Sequence, residues 1–374
     1  MFNKVTIETK NIKKFYVPKI MVIYFSDSDL SMFDNFSKNI VEYVEFVHIG
    51  SKDILLDNKA KRFNKKFYSW MENKKNEERI MKPALFFNKY VSSLVESVKS
   101  VDIAIIAYKS NSKVNFEYVE ELVHILDKND VFSFHYVVDN YVQSSDIKKS
   151  YEKFLKHLKR KRQVYIPIKE ETIVETYQNA NLSNRNYYAN LYINNLIDLF
   201  VSPFLDPKRN QDAFSKTKAL FYQSKNNFEK KVITSIGYSD SNEDYVDLAL
   251  IQALSSPMFA AAFEASNTFI VDIKMPFFTE QHLRRINEIL RSVVGDWKKF
   301  YVLTYVGPFE SYKYCEASIM AVNVEEDKLI RNSDEIQKCI KKILNNVQKS
   351  KKLFESEATK EILLADKKIN TLEN

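Results

Sequence analysis

Ser235-Ile236-Gly237-Tyr238-Ser239, then Asn242-Glu243-Asp244, then Ala253-Leu254-Ser255-Ser256-Pro257-Met258 form the stretch on which the fold turns. Residues 232–236 read as a strand, and Gly237 permits a tight exit from it, since a residue without a Cβ reaches conformations that others avoid. The polar cluster caps a helix over 244–254, and Pro257 stops it. Outward from this unit the pattern continues with a strand over 268–273, a helix over 280–294 and closing strands over 300–306 and 316–324, a small α/β layer.

Upstream, Tyr187, Leu191, Ile193, Leu196, Ile197 and Phe200 recur at helical spacing, predicting a long buried helix over 186–201 that bridges two domains and is ended by Pro203 and Pro207. Before it, apolar runs at 20–25, 44–49, 103–107, 131–138 and 164–166 read as strands, the last ending before Pro167. Helices over 116–126 and 147–160 separate the later ones. A further helical stripe, Leu30, Phe33, Phe36 and Ile40, follows the capping residues Ser26 to Asp29. Strands alternating with helices imply a doubly wound, Rossmann-like first domain. The expected limits are an extension over 1–18, a first domain over 19–183, the central helix and following segment over 184–230, a second domain over 231–326 and a charged helical tail over 327–374.

The composition narrows the function. Hydrophobic residues make up 45% of the 374, enough for buried cores. Cys315 and Cys339, the two cysteines, fit neither a disulfide framework nor a metal site and suit a reducing cytoplasm. The net charge of +7 is spread along the chain rather than clustered, so no nucleic-acid partner is expected. The five histidines show no paired ligand spacing, and neither a Gly-x-Ser-x-Gly elbow nor a dinucleotide fingerprint is present, so no metal site is expected. Only 4 glycines occur, where average usage of about 7% would give roughly 26. Loops that cradle phosphate use glycine so that backbone amides can reach the ligand. Over 333–349, Ile336, Ile340, Ile343 and Val347 share a face, with Lys338, Lys341, Lys342 and Lys349 around it. Such a basic amphipathic segment binds an anionic membrane surface or a partner, or docks on its own domain.

The 235–258 stretch resembles the start of the C-terminal domain of the FtsZ/tubulin family. Leu196 to Val201 followed by Asn210-Gln211-Asp212-Ala213-Phe214-Ser215 is similar to the end of that family's central helix and its synergy loop. The resemblance implies that Asn210 and Asp212 help complete the GTPase site of a neighbouring subunit. Ser215 stands where the second acid belongs, and a hydroxyl is no carboxylate base at neutral pH.

The nucleotide half departs further from the family. Its first glycine-rich turn is here Tyr24 to Asp29, where Ser26 is the remaining candidate contact and Asp27 and Asp29 repel phosphate. The signature loop is here Tyr108 to Lys113, leaving Lys109, Ser110 and Asn111 as candidates. The guanine-reading Asp of the central helix falls on Asn186, and the sugar-contacting Asn after Ile-Pro on Ile168.

The resemblance thus implies an FtsZ-like cytoskeletal protein of cell division, cytoplasmic and at the division site. It would assemble head to tail with itself or an FtsZ homologue. Any nucleotide would be GTP, with binding and hydrolysis weakened or lost, or none at all. The other outcomes are a non-polymerising binding module and a working GTPase with remodelled loops.

Overall fold

The structure, a computed structural model, describes residues 17–25, 40, 43–50, 65–69, 71–74, 77–110, 113–139, 145–160, 163–177, 184–205, 215, 217–219, 231–240, 245–295, 299–306 and 315–372. The first half contains β1 (Ile20–Phe25), β2 (Val44–Gly50), β3 (Lys65–Ser69), the hairpin strands β4 (Met71–Lys74) and β5 (Glu77–Ile80), β6 (Ile103–Lys109), β7 (Phe132–Asp139) and β8 (Gln163–Lys169). Its longer helices among the described residues are α1 (Ser92–Val98), preceded by helical turns over Pro83–Tyr90, α2 (Lys113–Lys128), α3 (Ser145–Arg160) and α4 (Glu170–Thr176). Six of the strands form one sheet in the order β3-β2-β1-β6-β7-β8, every pair parallel.

Alternation explains why β1 is apolar at every position. Met21, Ile23 and Phe25 pack with residues of α2 and α3, while Ile20, Val22 and Tyr24 turn to the opposite core. A strand covered on both faces loses the polar alternation of a half-exposed one. The chain winds outward from β1 in one direction and from β6 in the other, leaving a crevice at their carboxyl ends.

α5 (Arg185–Leu205) lies over the Tyr24 face of this sheet, and the second sheet closes on its other side. That sheet has the order β11 (Lys299–Val306), β10 (Thr268–Met275), β12 (Cys315–Val322), β9 (Ile233–Ser239). β10 pairs parallel with β11, and the other pairs are antiparallel. Its inner face contributes Ile236, Ile270, Leu303, Met320 and Val322 to the α5 core. Its outer face is covered by α6 (Tyr245–Leu254), α7 (Pro257–Ala262), α8 (Glu280–Val294) and the first part of α9 (Ser333–Leu372).

Three residues act differently from their sequence reading. Gly237 lies inside β9, paired with Ala317, and does not form an exit. A Cβ there would stand 2.0 Å from the Ala249 carbonyl oxygen and 2.7 Å from the Ala253 amide nitrogen, so the missing side chain is what lets α6 lie against the strand. Pro203 does not end α5 but sits in its last turn. Proline lacks the N–H that would reach the carbonyl four residues back. One residue earlier, the Ser202 hydroxyl donates to the Asp198 carbonyl at 2.5 Å. Pro257 opens α7 at its first turn, where its missing N–H costs nothing, and α6 has already ended at Leu254.

Pro167 lies within β8, which is the sheet's edge strand, a place where a missing donor is tolerated. β3, β4 and β5 went unread in the sequence. Of the 30–40 helical stripe, only Ile40 falls among the described residues, helical and buried.

Candidate functional site

α5 runs against the strands of the first sheet. Tyr24, near the carboxyl end of β1, donates its hydroxyl to Asn194, whereas Phe200 meets Phe134, two rows further back, at a ring separation of 4.5 Å. The first turn of α5, with Asn186, therefore stands at the carboxyl edge of the sheet, where β6 also delivers Lys109 and Ser110. Three of the sequence-predicted residues thus share one edge. The side chain of Asn186 lies outside the described residues, as do Ser26, Asn111, Asn210 and Asp212 altogether. Ser215 is helical and exposed.

The Ser110 amide donates to the Val138 carbonyl at 3.0 Å, extending the β6–β7 pairing by one residue, and the side chain is fully buried. Lys109 is half-buried. A diphosphate site needs amides turned toward the ligand. Ser110 offers neither a free amide nor a solvent-facing hydroxyl, so it does not fit a diphosphate contact.

Beside them, Tyr177, Tyr187, Tyr188 and Tyr192 form an aromatic group, with the Tyr177 and Tyr188 rings 5.1 Å apart and those of Tyr187 and Tyr188 5.3 Å apart. Asn195 Nδ2 donates to the Tyr177 hydroxyl at 3.0 Å, and burial raises the Tyr177 phenol above its ordinary range.

A second polar site lies in the seam between α5 and the inner face of the second sheet. Lys274 Nζ stands 2.5 Å from Asp198 Oδ2 of α5 and 3.2 Å from Glu316 Oε2 of β12, the latter an ionic contact without hydrogen-bond alignment. Burial alone would lower the Lys274 ammonium, but the Glu316 and Asp198 carboxylates outweigh it and hold the charged form. Burial raises Glu316, with Lys274 drawing it part of the way back.

One row along, Asp272 faces Ser318 across the β10–β12 pairing, fully buried, with neither carboxylate oxygen hydrogen-bonded. Burial pushes its pKa well above the usual carboxylate range. Tyr136 of β7 is close enough to feel its charge, and the Tyr136 hydroxyl is likewise without a hydrogen bond. The Lys274 ion pairs tie the second sheet to α5, away from solvent. The sequence signal was there: Asp272 and Lys274 stand two apart in an otherwise apolar strand, which places both on one face.

His135 is also walled in, its Nε2 3.2 Å from Gln163 Oε1, and Gln163 donates in turn to Asp127 at 2.7 Å. Burial lowers its pKa to about 4, leaving a neutral imidazole within the fold. Among the described residues no group of three or more His, Cys, Asp or Glu is placed to hold a metal ion.

The basic segment is helical, and its apolar side is docked. Ile343 and Val347 are buried against the second unit's outer core, with Ile336 and Ile340 packed beside them, while Lys338, Lys341, Lys342 and Lys349 are exposed. Arg285 of α8 fixes the junction, forking onto Asp247 of α6 at 2.7–3.0 Å and reaching Ser350 of α9. No helix among the described residues is long and apolar enough to cross a membrane.

No protein-family model and no curated protein matches the chain. Solved structures do. A point mutant of FtsZ from M. jannaschii is similar at a TM-score of 0.63 and 15% identity, over 82% of this chain and 91% of that one. An empty FtsZ dimer from the same organism gives 0.60 and 14%, over 82% and 88%. CetZ from Methanosaeta thermophila gives 0.52 and 12%, over 94% and 98%. The chain has the FtsZ/tubulin-like fold.

Proposed function

We propose, on the premise of the fold shared with FtsZ and CetZ, that this chain is a cytoplasmic cytoskeletal protein of cell division that assembles head to tail, alone or with an FtsZ homologue, with GTP binding and hydrolysis weakened or lost. The observation that carries the reading is the two-sheet architecture closed around α5, matched over 82% to 94% of the chain. A contact between unlike ends of identical subunits propagates as a filament and does not close. In this reading Asn210 and Asp212 are a vestigial synergy loop at one end, and Ser215 in place of the second acid removes the usual base. The loss of hydrolysis is supported by the scarcity of glycine and by the committed Ser110 amide.

Ser26, Lys109, Ser110, Asn111 and Asn186 are what remains of the nucleotide face, and any nucleotide held there would be GTP. The segment 333–349 meets a partner, a membrane surface or a division protein. The division site is the expected place of action.

The loss of both glycine loops also favours a second reading, a non-polymerising scaffold on the same fold. A working GTPase with remodelled loops is the third, and steady GTP turnover abolished by Asp212→Ala would establish it. Negative-stain electron microscopy of the purified chain decides between filament and scaffold: threads with a one-subunit repeat support the proposal, and dispersed particles at every concentration count against it.

A further inference from the structure

We infer that the outward face of α9 is a docking surface for an anionic lipid bilayer, held by charge alone. This names the partner of the segment 333–349 and rests on the reading of that segment given above. Over 336–353 the sequence holds six lysines, at 338, 341, 342, 349, 351 and 352, with no acid, no arginine and no aromatic residue. With 3.6 residues per turn, Lys338, Lys341, Lys342, Lys349 and Lys352 fall within about 100° of arc. Ile336, Ile340, Ile343 and Val347 fall within about 60° on the opposite side. The five lysines are exposed, whereas Ile343 and Val347 are each 2% exposed. Among the described residues none of the five has a carboxylate partner. The stripe spans fifteen residues, about 21 Å from first to last along the axis.

The chemistry of the stripe favours a bilayer over other polyanions. Over 336–347 the apolar side of α9 is spent in the core of its own unit, so this stretch does not insert and attraction comes from charge. Lysine is a point charge suited to a diffuse negative field, while forked recognition of a carboxylate or phosphate uses arginine, and single-stranded bases are held by stacking on aromatic rings. α9 packs on α6, α7 and α8, the layer covering the sheet face turned away from α5. The stripe therefore lies on the layer of the second unit turned away from α5. Each lysine near an anionic leaflet contributes about a fivefold gain in affinity, and an array of subunits multiplies it.

The test is flotation of the full chain with vesicles of phosphatidylcholine mixed with phosphatidylserine, and with phosphatidylcholine alone. Binding is expected only to the mixed vesicles, and is expected to be lost at about 0.5 M salt, where the field is screened within a few ångströms. Lys338→Gln/Lys342→Gln/Lys349→Gln lowers affinity about a hundredfold with an unchanged melting temperature, and the same three changed to Arg keep it. Equal binding to both vesicles, undiminished binding by the Gln variant, or tighter binding to duplex DNA than to the mixed vesicles would overturn the inference. Sedimentation of the same samples without lipid separates it from assembly: flotation by a protein that never pellets keeps the bilayer and counts against the filament, whereas pelleting without flotation does the reverse.

Discussion

Gly237 carries more of this fold than its single position suggests. Its Cα hydrogens face the backbone of α6 at Ala249 and Ala253, two small residues four apart that form a shallow slot for the strand. Gly237→Ala forces the helix off β9, and overpacking of that kind costs about 3 kcal/mol. Urea unfolding checks this, and an unchanged midpoint would contradict the close approach. The sequence marks this glycine as special but does not show why, because nothing local reveals which backbone will lie against it. The two prolines teach the same lesson. Pro203 and Pro167 read as boundaries from local chemistry, yet one lies inside the last turn of α5, at the loss of one backbone hydrogen bond, and the other on an edge strand, where a missing N–H is tolerated.

Among the elements, what could be read follows burial. β1 and β6 are apolar throughout because both faces are covered, and α8 runs over the same fifteen residues as its sequence pattern. β3, with the sequence KKFYS, pairs on one side only at the far edge of the sheet, and the hairpin β4–β5 is built from MENK and EERI. None of these short sequences alternates apolar with polar residues over its length, so no period shows. α9 was legible as amphipathic, but its sequence alone left open whether its apolar stripe faced a partner or its own domain. The structure docks it. Ile343→Ala should therefore destabilise the fold by about 2–4 kcal/mol and speed amide exchange over 333–350. Exchange as fast in the parent as in the variant would mean that the helix is not held there.

At the scale of the molecule, α5 between two sheets is the common frame, and Asp198, Lys274 and Glu316 pair α5 with the second sheet, with Asp272 buried beside them. Asp272 leaves a signature in pH. Burial holds its folded pKa above the unfolded value, so the folded state binds the proton more tightly. Its favourable contribution is complete below about pH 4 and is lost as pH rises toward the folded pKa, by no more than about 1.4 kcal/mol per unit. Asp272→Asn should match the parent near pH 4 and gain on it as pH rises, read by urea unfolding at several pH values. A difference independent of pH would contradict the buried carboxyl.

The candidate site was only partly legible. Lys109, Ser110 and Asn186 do gather at one edge, but the commitment of the Ser110 amide to Val138 depends on β7, which the loop's own sequence does not show. Assembly without nucleotide is the central claim, and sedimentation of the purified chain over a concentration series tests it most directly, with and without GTP and magnesium and with phosphate release followed in the same tubes. Pelleting above a threshold concentration that is the same with and without GTP, and no phosphate release, is the predicted result; pelleting that requires GTP, accompanied by turnover, would contradict it.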